Sequence, residues 1–279
     1  MEPTLDPRQL REMVDGFLSE DIGRGDLTTQ AVIPPGRHGS ARIVLRGPAL
    51  IAGLGAAREC FAQLSDGLPW ESLYRDGEHA QPGDIVRFGG ALQGLLSAER
   101  TALNLLGRLS GIATATARYV GAVADMPVRI IDTRKTTPGL RILEKYAVRM
   151  GGGGNHRFGL DDGILIKDNH IAVAGGVSEA LRRAKESLPH GLRVQIEVTT
   201  LEELDEALAA GADAALLDNM TPDVVRSAVA RAGGKLLLEA SGGIDIDNVR
   251  EYAAAGVDFI SIGALTNSVR AIDFSMEVN

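Results

Sequence analysis

The sequence predicts an α/β protein in two parts, an α/β layer region followed by an incomplete or reduced β/α barrel. An amphipathic helix followed by β-type runs broken by glycine and proline predicts the first part. After Met126, short apolar strands alternate with helical stretches, the pattern of βαβ units on a parallel sheet. About 150 residues remain there, short for eight such units, so fewer strands are expected, with a doubly wound open sheet as the competing topology.

Taken in order, Asp6 and Pro7 stand as N-cap and first residue of the opening helix, and Leu10, Met13, Val14, Phe17 and Leu18 share one of its faces. From about Ser40 to Gly90, runs such as ARIVLRG and GDIVRFGG read as a small sheet. Ser97 to about Ala124 turns helical, with Leu103, Leu106 and Leu109 or Ser110 on one stripe. The strand candidates that follow are VRIID (128–132), GILIK (163–167), RVQIEV (193–198), AALLD (214–218), KLLLEA (235–240) and DFISIG (258–263). Amphipathic helices fill 178–187, 201–210, 222–232 and 247–256.

Composition excludes several classes of function. A net charge of −8 is wrong for a chain that coats itself in nucleic acid or lies on anionic lipid. No apolar stretch approaches the roughly 20 residues that cross a bilayer, and the opening MEPTLDPRQLREMVDG has no apolar signal core, so the cytoplasm is the expected compartment. The single cysteine, Cys60, excludes an internal disulfide and a cysteine-cluster metal site. Charge is uneven, however: between Arg129 and His170 there are eight Lys or Arg against five Asp or Glu, with His156 and His170 added. A cationic stretch inside an acidic protein points to an anionic small molecule.

Catalytic groups of β/α barrels stand at the C-terminal ends of strands, where the βα loops gather above a packed core. Here VRIID runs into Thr133-Arg134-Lys135, GILIK ends at Lys167, RVQIEV carries Glu197, AALLD ends at Asp218, and KLLLEA carries Glu239 before Ser241-Gly242-Gly243. Any one of these is unremarkable as a solvated strand end; the succession is not. Arg134, Lys135, Arg157 and Lys167 are donors for carboxylates and phosphates. Glu197 and Asp218 are hard oxygen ligands of the kind Mg²⁺ takes while sharing its other positions with water and substrate phosphates. Together they fit a metal-bound diphosphate beside an organic acid.

The run GGGGNHRFG (151–159) is too glycine-rich for a helix or strand interior. It lacks the GKS or GKT of a P-loop and the strand–helix frame of a dinucleotide fingerprint. A flexible loop is the plain alternative, weighed against the three hydrogen-bonding side chains of Asn155, His156 and Arg157. SGG (241–243) and IGAL (262–265) each lead from a late strand towards a helix, where barrels often seat a phosphate on backbone N–H groups, although such glycines are also ordinary turn residues.

These segments together resemble the quinolinate phosphoribosyltransferase family, also called carboxylating nicotinate-nucleotide pyrophosphorylases. The resemblance runs in order through EDIGRGDLTT (20–29), ERTALNLLGRLSGIAT (99–114), DTRKTTPGLRILEKYAV (132–148), GGGGNHR (151–157), LIKDNHI (165–171), IEVTTLEEL (196–204), LLDNM (216–220), EASGGI (239–244) and IGALTNS (262–268). It implies an N-terminal α/β sandwich domain over 1–112, a barrel of fewer than eight strands over 113–269, and a tail of about 270–279 packing back on the first domain. It implies transfer of phosphoribose from phosphoribosyl pyrophosphate to quinolinate with decarboxylation, in NAD biosynthesis. It also implies a homodimer with a shared active site and Mg²⁺ as cofactor.

By the same resemblance, Arg134, His156, Arg157 and Lys167 hold the two quinolinate carboxylates, and Arg100 reaches in from the partner subunit. Lys135 and Lys167 face the pyrophosphate, Glu197 and Asp218 bind Mg²⁺ or the ribose hydroxyls, and Ser241, Gly242, Gly243, Gly263 and Ala264 take the 5′-phosphate. Position 267 is Asn where some relatives carry His, and no role is assigned to it. The rival readings are a paralogous phosphoribosyltransferase acting on another acid, a Schiff-base lyase using Lys167, and a non-catalytic sensor of phosphorylated sugars.

Overall fold

The structure is a computed structural model that describes residues 5–187 and 189–278. The elements run α1 (Pro7–Ile22), α2 (Leu27–Val32), β1 (His38–Leu45), β2 (Ala49–Leu50), α3 (Leu54–Leu64), β3 (Trp70–Ser72), β4 (His79–Ala80), β5 (Gly83–Ala91) and α4 (Leu92–Ala122). Then follow β6 (Arg129–Ile131), α5 (Arg141–Met150), β7 (Ile164–Ile166), α6 (Asp168–Ala174), α7 (Val177–Glu186), β8 (Val194–Val198), α8 (Leu201–Ala209), β9 (Ala214–Asp218) and α9 (Pro222–Ala232). The last elements are β10 (Leu237–Ser241), α10 (Val249–Ala254), β11 (Phe259–Ser261), α11 (Ala264–Asn267) and β12 (Phe274–Val278). They form two compact units, one of Met1–Ala117, Thr137–Gly152 and Ser268–Asn279, the other of Arg118–Thr136 and Gly153–Asn267.

The first unit holds an antiparallel sandwich sheet of order β12-β1-β5-β3 and a two-stranded β2-β4 pair. Asp6 caps α1 by accepting from the N–H groups of Arg8 and Gln9, and Val14 and Leu18 form its buried face. Phe61, Trp70 and Phe88 cluster with centroids 4.6 to 6.1 Å apart. The chain crosses closely over α4 near its C-terminus: a Cβ on Gly107 would lie 2.7 Å from the Ile272 carbonyl, and one on Gly111 would strike that of Arg270.

The second unit is a parallel six-stranded barrel-like sheet of order β6-β11-β10-β9-β8-β7. From β7 to β11 each strand lies beside its successor, so the order never reverses and the doubly wound alternative is excluded. β6 and β7 are the two ends of the sheet, and Gly154 adds a parallel bridge beside Ile131 of β6. Alternation within β8 explains the layering. Val194, Ile196 and Val198 are fully buried, whereas the intervening Gln195 and Glu197 are only partly so. Each such aliphatic side chain contributes roughly 1.5–3 kcal/mol by leaving water.

All six expected strands form, displaced by at most two residues at either end, and the helices after β7, β8, β9 and β10 lie where their periodicity placed them. Four helices were not anticipated. In α3 the buried face mixes the small Ala56, Ala57 and Cys60 with Leu54 and Phe61, which weakens the apolar signal. In α5 the buried face includes Glu144 and Lys145, and α6 buries no residue at all. The short α2 buries only Thr29. Among the described residues no helix is long and apolar enough to cross a membrane.

Candidate active site

A cleft of about 550 Å³ opens where the barrel strands end. Thr133, Arg134 and Lys135 line it after β6, and His156 and Arg157 after the glycine run. Leu165 and Lys167 come from β7 and its end, Glu197 from β8, Leu216 and Asp218 from β9, and Glu239 and Ser241 from β10. Gly242, Gly243 and Ile244 follow, and Ser261, Ile262, Gly263, Ala264 and Asn267 complete the wall around β11. Every site residue expected from the sequence lies here except Arg100, which sits on α4 in the first unit with its side chain 65% exposed and 3.9 Å from Glu99.

The cationic residues owe their positions to local bonding. Asp132, fully buried, accepts from Asn155 Nδ2 at 2.7 Å and from the backbone N–H of His156 at 2.8 Å. This ties the end of the glycine run to β6. The run is therefore not a flexible loop: Gly151 caps α5, and a Cβ on Gly154 would lie 3.1 Å from Ile131 Cγ2. Arg157 donates from Nη1 to the Gly163 carbonyl at 2.8 Å. Arg134 and Arg157 each bury an Nε that has no hydrogen-bond partner. Burial, and then the neighbouring Arg134 charge, hold the Arg157 guanidinium below its ordinary value. Two mutually repelling guanidiniums are a site for an anion.

His156 is fixed on both sides of its ring. Nδ1 accepts from the Arg157 N–H at 2.7 Å, which leaves Nε2 to carry the hydrogen, 3.4 Å from Glu239 Oε2. Both ring nitrogens thus face protein groups. Glu239 itself is 4% exposed. Burial raises its carboxyl, but hydrogen bonding from His156, and a 2.7 Å bond from Gln195 Nε2, hold it below the ordinary value. Its Oε1 is buried without a partner.

The acidic residues occupy neighbouring strands. Glu197 lies 2.6 Å from Lys167 Nζ, and Asp218 accepts from Asn219 Nδ2 at 2.7 Å. Among the described residues no three His, Cys, Asp or Glu form a cage for a metal. Two carboxylates lining one cleft instead suit Mg²⁺, which takes one or two protein carboxylates and fills its remaining positions with water and phosphate oxygens. Lys167 is half-exposed and paired with a carboxylate, not desolvated in an apolar pocket as an activated Schiff-base lysine is.

Glycines shape the remaining wall. Gly242 has φ +90°, and a Cβ there would lie 3.0 Å from the Asn219 nitrogen. Gly263 leaves room for the stem of Lys135, whose Cδ would be 2.9 Å from an added Cβ. Thr266 Oγ1, fully buried, donates to the Lys135 carbonyl at 2.8 Å. Ser261 and Ser241 join through their hydroxyls at 3.0 Å.

Sequence reasoning missed Asp132, Gln195, Asn219 and Ser261 as parts of this constellation, and noted Glu239 only as a polar strand end. The available signal was an acid ending an apolar run, as Asp132 does, or an amide within one, as Gln195 is.

Comparison with known proteins agrees with the geometry. Residues 112–277 match the quinolinate phosphoribosyl transferase C-terminal domain family and residues 26–110 its N-terminal domain family. A probable carboxylating nicotinate-nucleotide pyrophosphorylase of Bacillus subtilis (strain 168) is 44% identical over 97% of this chain and 93% of its own length. The carboxylating nicotinate-nucleotide pyrophosphorylase of Mycobacterium leprae is 44% identical over 96% of each. The solved nicotinate-nucleotide pyrophosphorylase of Francisella tularensis superposes with TM-score 0.92 at 38% identity, covering 100% of this chain and 99% of its own. Matched along nearly its whole length in both sequence and fold, the chain belongs to the quinolinate phosphoribosyltransferase family.

Proposed function

We propose that this chain joins quinolinate to phosphoribosyl pyrophosphate and releases nicotinate mononucleotide, pyrophosphate and carbon dioxide, a step of NAD biosynthesis. The observation that carries the reading is the composition of one cleft: Arg134 and Arg157 unneutralised beside His156 and Lys167, with Glu197, Asp218 and two glycine turns in the same lining.

A doubly acidic ring satisfies crowded cations better than a mono-acid does, which favours quinolinate over the substrates of paralogous enzymes. Arg134, Arg157 and Lys167 bind its carboxylates and aim the ring nitrogen, and His156 forms part of that wall. Lys135, lying over Gly263, holds the diphosphate end together with Lys167. Ser241, Gly242, Gly243, Gly263 and Ala264 seat the 5′-phosphate on backbone N–H groups.

As pyrophosphate leaves, positive charge builds on the ribose carbon, so the protein's task is to stabilise the departing anion and hold the nitrogen in line. No covalent nucleophile is needed. After alkylation the adjacent carboxylate departs as carbon dioxide, the electron pair it leaves on the ring carbon is stabilised by the neighbouring cationic nitrogen, and that carbon then takes up a proton to give nicotinate mononucleotide. Glu197 and Asp218 would hold Mg²⁺, which when bound supplies charge neutralisation to the diphosphate. A homodimer in which the partner subunit's Arg100 completes the acid site belongs to the same reading, as does a cytoplasmic setting.

The test is a purified reaction with Mg²⁺, phosphoribosyl pyrophosphate and either quinolinate or nicotinate, following carbon dioxide and mononucleotide together. Equimolar release of both from quinolinate, and no comparable turnover of nicotinate, is expected. Turnover of nicotinate without carbon dioxide would overturn the substrate assignment.

A further inference from the structure

Asn219, the residue after β9, is the one non-glycine residue with a positive φ among those described, at +54°. Left-handed backbone is strained for side-chain-bearing residues, and Asn is among the few that tolerate it; such strain persists where the surroundings over-determine it and often marks a working site. Three contacts over-determine it here. Its N–H donates to the Ser241 carbonyl at 2.9 Å, tying the end of β9 to the end of β10. Its Nδ2 donates to Asp218 Oδ2 at 2.7 Å. Its Oδ1 lies where a Cβ on Gly242 would stand, so the amide is packed against the glycine turn. The next residue, Met220, is buried and anchors the turn before α9 begins at Pro222.

The amide is exposed, as is its bond to Asp218. A neighbour-to-neighbour bond at the surface does little for stability, and the backbone strain opposes stability. What the arrangement secures is the direction of one carboxylate. At this left-handed φ the Asn219 side chain reaches back to Asp218 while its N–H reaches Ser241. One Asp218 oxygen is thus engaged by the amide.

We propose that Asn219 is a positioning residue that orients the Asp218 carboxylate into the cleft for the sugar diphosphate and its Mg²⁺. The inference rests on the function proposed above. It treats the turn Asp218-Asn219 as a single device joining the acidic strand end to the Ser241–Gly243 turn, so that ribose-side and phosphate-side recognition share one rigid corner.

The informative variant is Asn219→Gly, because glycine takes a φ of +54° without strain and keeps the backbone N–H that reaches Ser241. Thermal melting should show a midpoint at or above that of the parent. Titration calorimetry of phosphoribosyl pyrophosphate in the presence of Mg²⁺ should show affinity lower by about tenfold, the scale of one charge-assisted hydrogen bond. Quinolinate binding measured without either should be unchanged. In an Asp218→Asn background, Asn219→Gly should cause no further loss, since the carboxylate it aims is gone.

Parent-like affinity in Asn219→Gly would overturn the proposal. So would a marked drop in its melting midpoint, which would make Asn219 a structural residue of the turn, or additive losses in the double variant. A parent protein that fails to bind phosphoribosyl pyrophosphate with Mg²⁺ would instead overturn the proposed function.

Discussion

Lys167 and Glu197, at the ends of neighbouring strands β7 and β8, form an ion pair of 2.6 Å inside the cleft. With Lys167 47% exposed, the pair adds little to stability. Its consequence is competition: a carboxylate of the acid substrate takes the same ammonium that Glu197 holds. Glu197→Gln should therefore bind quinolinate alone as well as the parent does, or more tightly. Its turnover with phosphoribosyl pyrophosphate and Mg²⁺ should fall on the order of a hundredfold. Calorimetry beside steady-state rates separates the two effects, and equal losses in both would contradict this account.

Arg134 and Lys135 stand consecutively after β6, one beside Arg157 and the other over Gly263. If each stabilises a different anion, their losses should differ in kind. Arg134→Ala and Lys135→Ala are each expected to lower turnover on the order of a hundredfold or more. Arg134→Ala should chiefly weaken quinolinate binding, and Lys135→Ala that of phosphoribosyl pyrophosphate. Near-normal rates in either variant would count heavily against the site.

Much of this cleft was legible in the sequence because its residues are polar where apolar strands stop. Lys167, Asp218 and the Ser241–Gly243 turn each follow a short apolar run, and a parallel barrel brings such ends together whatever the loops do. The interior was less legible. Glu239 reads only as a polar strand end and Gln195 is one polar residue within RVQIEV, yet they meet across β9 at 2.7 Å because the sheet curls into a barrel. Asn219 gave no sign, since a left-handed φ is a property of the turn and not of residue spacing. The helix α6 has no buried face, and so no period to detect.

Burial of Glu239 makes a prediction about acid stability. Its carboxyl is held below the ordinary value in the folded chain, so the folded state binds its proton less readily than the unfolded state does. The stabilisation is fully present above the unfolded value and is lost as pH falls through the folded one. Glu239→Gln should thus be less stable than the parent at neutral pH, and the gap should narrow as pH drops below about 4, the ordinary carboxylate range. Urea unfolding midpoints at a series of pH values provide the measurement. A gap that stays constant or widens towards acid would show that Glu239 is not held ionised by His156 and Gln195.

Arg100 bears on how many subunits make one site. It is exposed on α4, its ion pair with Glu99 is long at 3.9 Å, and it is absent from the cleft lining of its own chain. If the partner subunit's Arg100 completes each site, Arg100→Ala and Lys135→Ala damage complementary halves of it. Each homodimer is then inactive, but a heterodimer carries one site with both residues intact. Random exchange between equal amounts makes half the dimers mixed, so about a quarter of parental activity should return. Exchange is verified by mass-tagged subunits, and activity is followed as carbon dioxide release. A mixture that exchanges fully yet stays inactive would confine the site to a single chain and remove Arg100 from it.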